Sequence, residues 1–183
     1  MELSLSIKIL SFGGSPSHHS INRKLANFVS SLFTDAEVTK LDLNDFEMPI
    51  FSVDREKPIL EQATKFAQHI DECDLIVMSL AENNGAYSAA FKNLYDWVSR
   101  IPNRKIFNGK KVVLMATSPG GRGGSSVLEI ASKRFPFDGA VLVGTMSLPS
   151  FNQNFDDEKG ITNPEFLEKA KELVKVATEA VKS

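Results

Sequence analysis

The stretch GGSPSHHSINRKLA, residues 13–26, follows an aliphatic run and opens into a helix. Ile21, Leu25, Phe28 and Leu32 recur at helical spacing, and Ser20 stands where an N-cap belongs. Glycines, hydroxyls and two histidines therefore precede a helix whose first turn carries Arg23 and Lys24. Cationic side chains oppose the macrodipole at that end, which favours negative charge. The first N–H groups of a helix lack intrahelical partners and bind anions readily. Ser15, Ser17, Ser20 and Asn22 add short polar side chains around the same point. A terminal phosphate fits such a cradle and would balance Arg23, Lys24, His18 and His19. The alternative is a serine-capped helix after a flexible turn, with its basic side chains in water.

Outward from this stretch, aliphatic runs alternate with amphipathic helical stretches. Residues 5–11 (LSIKILS) read as the first strand, and residues 37–43 (EVTKLDL) alternate as the second. Residues 74–80 (DLIVMSL), 111–117 (KVVLMAT) and 140–146 (AVLVGTM) supply three more. Helices are expected over 60–71, around Phe91, Leu94, Tyr95 and Val98, and over 125–133. A last helix, capped by Asn163 with Pro164 at its first position, turns Phe166, Leu167, Ala170, Leu173, Val174, Ala177 and Val181 inward. Near-continuous aliphatic strands belong to a parallel sheet covered on both faces. Right-handed crossovers then give one doubly wound α/β domain over 1–183, expected as a three-layer α/β/α sandwich of five strands in the order 2-1-3-4-5. Residues 48–58 form a loop in which Met48, Ile50 and Phe51 make an apolar group, and 152–160 is the most loop-like internal stretch.

The 183 residues carry a formal net charge of −2, so no basic field points to nucleic acid or an anionic membrane. No apolar run approaches the ~20 residues of a membrane span. The opening MELSLSIKILSF lacks the basic start and long apolar segment of a signal peptide and reads as a strand. The lone Cys73 cannot form an intramolecular disulfide, which fits a cytoplasmic protein. Beside a buried strand and with no activating set around it, it reads as an inert core thiol. His18, His19 and His69 lack metal-ligand spacing, and Asp42, Asp45 and Glu47 read as a solvated loop.

In a doubly wound sheet, ligands sit beyond the carboxyl ends of the strands at the switch point. Three loops belong there: 13–20, 81–88 and 118–124. The first has no Gly-Lys-Ser/Thr and no Gly-x-Gly-x-x-Gly, which excludes a Walker A loop and the dinucleotide turn. A phospho-receiver domain would place acids where Phe12 and Gly13 stand.

Three motifs carry a resemblance. The first runs Gly14-Ser15-Pro16-Ser17-His18-His19-Ser20-Ile21-Asn22, then Leu25 and Ala26. The second is Glu82-Asn83-Asn84-Gly85 followed by Phe91-Lys92-Asn93-Leu94-Tyr95-Asp96-Trp97, and the third is Ser118-Pro119-Gly120-Gly121-Arg122-Gly123-Gly124. In these the chain resembles, over almost its whole length, the NADPH-dependent FMN reductase family. That flavodoxin-like group includes quinone, azo-dye and chromate reductases.

The resemblance implies that Ser15, Ser20 and Asn22 hold the FMN phosphate, with Ser17 where relatives commonly carry arginine. It implies that Glu82, Asn83, Asn84 and Gly85 run along the isoalloxazine edge, largely through backbone amides. Ser118, Pro119, Gly120 and Gly121 would lie on the ring's other side. Ala81 and Asn83 replace a proline and a tyrosine. The activity implied is hydride transfer from NADPH or NADH to FMN and on to a small-molecule acceptor such as free flavin or a quinone. The flavin performs the redox step, so no catalytic side chain is named. A homodimer or homotetramer is also implied, with loop 48–51 and Trp97 near the subunit contacts. The residues themselves equally allow burial of that loop within one chain, and plain helix packing for Trp97. Two other readings share the fold: a flavodoxin-type electron carrier and a degenerate, non-catalytic family member.

Overall fold

The computed structural model describes residues 6–183. Leu5, placed in the first strand above, lies outside them. The main elements are β1 (Ile7–Gly14), α1 (Ile21–Ser31), β2 (Ala36–Leu41), α2 (Glu61–Glu72), β3 (Leu75–Leu80), α3 (Ala89–Val98), β4 (Lys111–Thr117), α4 (Ser125–Arg134), β5 (Val141–Leu148) and α5 (Pro164–Lys182). The five strands are parallel throughout, in the order β2-β1-β3-β4-β5.

The aliphatic run of β3 explains the layers. Successive side chains of a strand point to opposite faces. Ile76, Met78 and Leu80 enter a core shared with α2, α3 and α4, through Phe66, Leu94, Trp97 and Ala131 among others. Leu75 and Val77 enter a second core with α1 and α5, through Leu25, Val29, Leu173 and Ala177. Both faces are dry, so every position of β3 must be apolar or satisfied. Its polar position is Ser79, which is fully buried. Register sets the ligand edge: Gly14 lies opposite Leu80, and Leu80 opposite Ala116. The carboxyl ends of β1, β3 and β4 thus finish side by side.

Three segments differ from the reading of the sequence. First, β1 runs on through Gly13 and Gly14, which pair with Ser79 and Leu80 rather than opening the loop. A Cβ at Gly13 would collide with the backbone of Arg23, so glycine here lets the start of α1 cross tightly over the strand. Second, β2 stops at Leu41, because the Asp42 carboxylate accepts from the Asn44 amide at 3.0 Å and opens a short 3-10 turn. That turn buries Leu43 and Phe46. Third, the stretch 152–160 is not a plain loop. It holds part of a short helix (Phe151–Asn154) and a hairpin pairing Phe155–Asp156 with Gly160–Ile161. Phe155 stacks on Phe151 with centroids 4.6 Å apart and meets Phe28 edge-on at 5.8 Å. Gly160, at φ +76°, fits against the Phe28 ring, where a Cβ would clash.

Loop 48–51 is tied down by α3. The Asn93 carboxamide accepts from the Phe51 amide at 2.7 Å and donates to the carbonyls of Met48 and Pro49 at 3.0 and 3.1 Å. Trp97, buried as helix packing requires, donates its indole N–H to the Pro49 carbonyl at 2.8 Å and meets Phe51 edge-on at 5.3 Å. The loop's apolar group is therefore split: Met48 is buried, while Ile50 remains 81% exposed. Asn93→Ala removes three hydrogen bonds and should destabilise the fold by about 1–3 kcal/mol. Trp97 is the chain's one tryptophan, so its emission should move to longer wavelength as Pro49 leaves it. Urea unfolding read by fluorescence measures both effects. An unchanged midpoint and spectrum would mean that the Trp97 contacts with Pro49 and Phe51 hold the loop without Asn93.

Candidate functional site

At the carboxyl edge of the sheet the three loops enclose a cavity of about 270 Å³. Ser15, Ser17, His19, Ser20, Ile21 and Asn22 line it from the first loop and α1, Ala81, Glu82 and Asn83 from the second, and Thr117, Ser118 and Pro119 from the third. Asn84, Gly85, Gly120 and Gly121 are not among its lining residues and stand on exposed turns at its margins.

One side chain joins the three walls. Asn22 is buried, and its Oδ1 accepts from the Ser79 hydroxyl at 2.6 Å and from the Thr117 amide at 3.1 Å. Its Nδ2 donates to the Thr117 carbonyl at 3.1 Å. The amide group is thus committed to the framework, binding the first turn of α1 to the end of β4 and to β3. Ser79 was not singled out in the sequence reading. A lone hydroxyl inside the run DLIVMSL was the available signal, because a buried polar group needs a partner.

The first loop is shaped by its own hydroxyls. Ser15 Oγ accepts from the Ser17 amide at 3.2 Å, Ser17 Oγ from the His19 amide at 3.3 Å, and Ser20 Oγ from the Arg23 amide at 3.1 Å. Ser20 is the N-cap, as its position suggested, a contact typically worth about 1 kcal/mol. Each oxygen accepts one backbone N–H and keeps its own proton to donate.

The basic first turn of α1 has a different explanation from the phosphate invoked above. The Arg23 guanidinium pairs with Asp42 and donates to the His18 carbonyl at 2.6 Å. Lys24 Nζ meets both carboxylate oxygens of Asp157 at 2.7 Å. Asp42, read as a solvated loop residue, is therefore a partner of Arg23. Both cations pin loops that follow β2 and β5 and are not held in reserve for an anion.

The second loop is a hairpin in which Glu82 pairs with Tyr87 and Asn83 with Ala86. Asn84 and Gly85, at φ 52° and 80°, form its two-residue turn. Positive φ at both positions is the requirement of a type I′ turn, which favours Asn-Gly. Gly85 is glycine for that reason, and the space beside it is open. The hairpin's base is anchored by Ser88, whose hydroxyl donates to the Gly14 carbonyl at 2.7 Å.

In the third loop the glycines divide. Gly123 and Gly124 have φ of 58° and 73°, and a Cβ on either would collide, at Gly123 with Ser147 and Pro149 and at Gly124 with Ala116. Gly120 and Gly121 have neither positive φ nor a neighbour within 4 Å of an added Cβ. The loop is steadied by the Ser150 amide donating to the Gly120 carbonyl at 2.9 Å and the Phe151 amide to Ser118 at 3.1 Å.

Cys73 lies far from this edge, buried in the core, where it donates to the Ile70 carbonyl at 3.2 Å. Burial pushes its thiol up to about 11, consistent with an inert group. Among the described residues no His, Cys, Asp and Glu cluster could hold a metal, and no helix is long and apolar enough to cross a membrane.

A doubly wound sheet with a polar cavity at the ends of β1, β3 and β4 defines a class of small-ligand-binding α/β proteins. The sequence profile of the NADPH-dependent FMN reductases matches residues 7–155, and the chain belongs to that family. It is 26% identical over 152 residues to the uncharacterized protein MG342 homolog of Mycoplasma pneumoniae, covering 80% of this chain and 90% of that one. It is 29% identical over 120 residues to the 2-hydroxy-1,4-benzoquinone reductase of a Burkholderia species, spanning 65% of this chain and 64% of that enzyme. Among solved structures it resembles FerB, a flavoenzyme NAD(P)H:(acceptor) oxidoreductase from Paracoccus denitrificans, with a TM-score of 0.78 at 20% identity over 96% of this chain and 97% of that one.

Two outcomes test the geometry. Asn22→Ala strands the Ser79 hydroxyl and the Thr117 amide and should cost about 2–4 kcal/mol in denaturant unfolding. A loss within error would show that the loops converge without it. Cys73 should resist alkylation at pH 8, because burial holds the thiol in its unreactive protonated form, and should label readily once urea unfolds the chain. Rapid labelling of the native protein would contradict the buried thiol.

Proposed function

We propose that this protein is an FMN-dependent oxidoreductase that takes hydride from NADPH or NADH and reduces a small acceptor, a quinone foremost. The observation that carries this reading is the convergence of three walls on one cavity at the start of α1. The residues present fit FMN. Ser15, Ser17 and Ser20 each keep a hydroxyl proton to donate to a phosphate, and no acidic side chain stands in residues 13–20. The N–H groups of the first turn of α1 add the positive end of the helix. Asn22 holds this cradle against β3 and β4 and is given a positioning role. The bare backbone at Gly120 and Gly121, glycine for no reason of strain or packing, leaves room for a flat ring, and Ser118 and Pro119 continue that wall. Glu82 and Asn83 line the opposite side, and Asn84 and Gly85 at its margin are assigned to the ring edge with them.

Bound FMN supplies the hydride acceptor and donor. The chain itself binds, orients and leaves one face of the site open for nicotinamide and acceptor in turn. The family to which the chain belongs supports the cofactor and the donor, and the named activity of the Burkholderia relative supports a quinone as acceptor. A second copy is the partner we assign to loop 48–51. Exposed Ile50 lines a cavity of about 310 Å³ together with Met48, Ala89 and Leu94, an arrangement that supports a homodimer. A free buried thiol suits a reducing compartment, which supports the cytoplasm.

The cavity offers one phosphate cradle and no dinucleotide turn for an adenosine half, so FMN should bind more tightly than FAD in parallel titrations of the apoprotein. Steady-state oxidation of NADPH with a quinone should give parallel double-reciprocal lines. Binding of FMN without NAD(P)H oxidation across a range of quinones would favour the electron-carrier reading. With Arg23 and Lys24 engaged elsewhere, Ser17→Arg should tighten FMN by roughly ten- to a hundredfold, the value of one charge-assisted hydrogen bond. Unchanged affinity in a flavin-fluorescence titration would place the phosphate away from Ser17.

A further inference from the structure

We propose that Glu82 is a positioning residue, a latch that fixes the ring-edge hairpin by capping α4, the helix that follows the third loop. α4 begins without a side-chain cap of its own. Its N-cap is Gly124, in the left-handed region, with no side chain to satisfy the first turn. Glycine is forced there, because φ is +73° and a Cβ would press on the Ala116 side chain. The helix therefore cannot carry the Ser, Thr, Asp or Asn that usually caps an N-terminus. Glu82 does so from the hairpin after β3. Its Oε2 accepts from the Ser126 amide at 2.8 Å and from the Val127 amide at 3.1 Å. A carboxylate on two unpaired N–H groups at the positive end of a helix is a favourable charge arrangement.

The hairpin is thereby held at two points. Glu82 fastens its first residue to α4, and Ser88, just after it, bonds the Gly14 carbonyl at the end of β1. Between them Tyr87 stacks on Phe135, with centroids 6.1 Å apart and planes 7° apart. The Asn84–Gly85 tip itself is exposed, with open space beside Gly85. A tip so free of neighbours takes its position from its base. The latch also occupies the N-terminus of α4 with a carboxylate, which leaves the start of α1 for the phosphate. Through Glu82, the two walls assigned to the isoalloxazine move as one body. This role rests on the flavin reading for its purpose, though the capping contact can be tested without flavin.

The experiment compares wild type, Glu82→Gln and Glu82→Ala, each checked for folding by circular dichroism. In the apoprotein, amide hydrogen exchange at Ser126 and Val127 should quicken about tenfold in Glu82→Ala and less in Glu82→Gln, which keeps one acceptor oxygen. Exchange at Arg23, capped by Ser20, should not change. Titration with FMN and with riboflavin should then show Glu82→Ala weakening both by the same factor, about tenfold, with Glu82→Gln partly restoring each. A residue acting at the phosphate would weaken FMN alone. Unchanged exchange at Ser126 and Val127 overturns the latch. Quickened exchange with unaltered riboflavin and FMN affinity overturns its part in placing the ring. Failure of the wild type to bind either flavin would overturn the flavin reading and with it the latch's purpose, while the exchange result would still decide the capping contact.

Discussion

The site depends on one buried carboxamide. Asn22 sits on the first turn of α1, yet its hydrogen bonds reach the β3 hydroxyl of Ser79 and both backbone groups of Thr117 at the end of β4. A side chain that serves two acceptor bonds and one donor bond in a dry interior has little freedom to move. Its satisfaction fixes where the helix begins relative to two strand ends, and the cavity is the space left between them. Gly13 serves the same purpose sterically, since only a missing Cβ lets the helix start lie so close to β1.

Around this point, electrostatics locks the loops in place. The cations of α1 face the wrong end of their own macrodipole, an arrangement that costs energy on an isolated helix. Here Arg23 and Lys24 reach out to Asp42 and Asp157. Both pairs are partly exposed, so each contributes modestly to stability. Their effect is chiefly geometric: the loops after β2 and β5 are drawn to the side of the cradle, and the serines meet the cavity. At the opposite wall a carboxylate meets a helix start, the favourable polarity. Among the helix N-termini at this edge, α4 is capped by a carboxylate from another element, Glu82, whereas α1 and α3 are capped by their own serines, Ser20 and Ser88.

Much of this was legible in the sequence, and the reasons are particular. The runs DLIVMSL and KVVLMAT are aliphatic because both faces of β3 and β4 are covered, so the layers were readable from them. Ser20 and Asn163 were readable as caps because capping is local: each bonds an amide two or three residues ahead. The three loops could be grouped because a doubly wound sheet brings the ends of strands one, three and four together. What escaped notice was non-local. Nothing near Arg23 announces Asp42, and Lys24 is 133 residues from Asp157. The polar stretch 152–160 concealed Phe155, whose partners Phe28 and Phe151 decide that it folds back as a hairpin. Asn84 and Gly85 were grouped by the resemblance along the ring edge, and the Asn-Gly pair is also a turn signal whose logic is backbone conformation. Gly120 and Gly121 remain the glycines that neither conformation nor packing explains, and a flat ligand gives them a reason.

The central claim is that FMN lies in the cavity at the start of α1. The most direct test is to follow the backbone amide resonances of the isotopically labelled protein as FMN is added to saturation. The account predicts that the largest shifts fall in residues 15–22, 82–85 and 118–121, with those at 15–22 lost when riboflavin replaces FMN. Shifts clustered elsewhere, or none at saturating FMN, would contradict it.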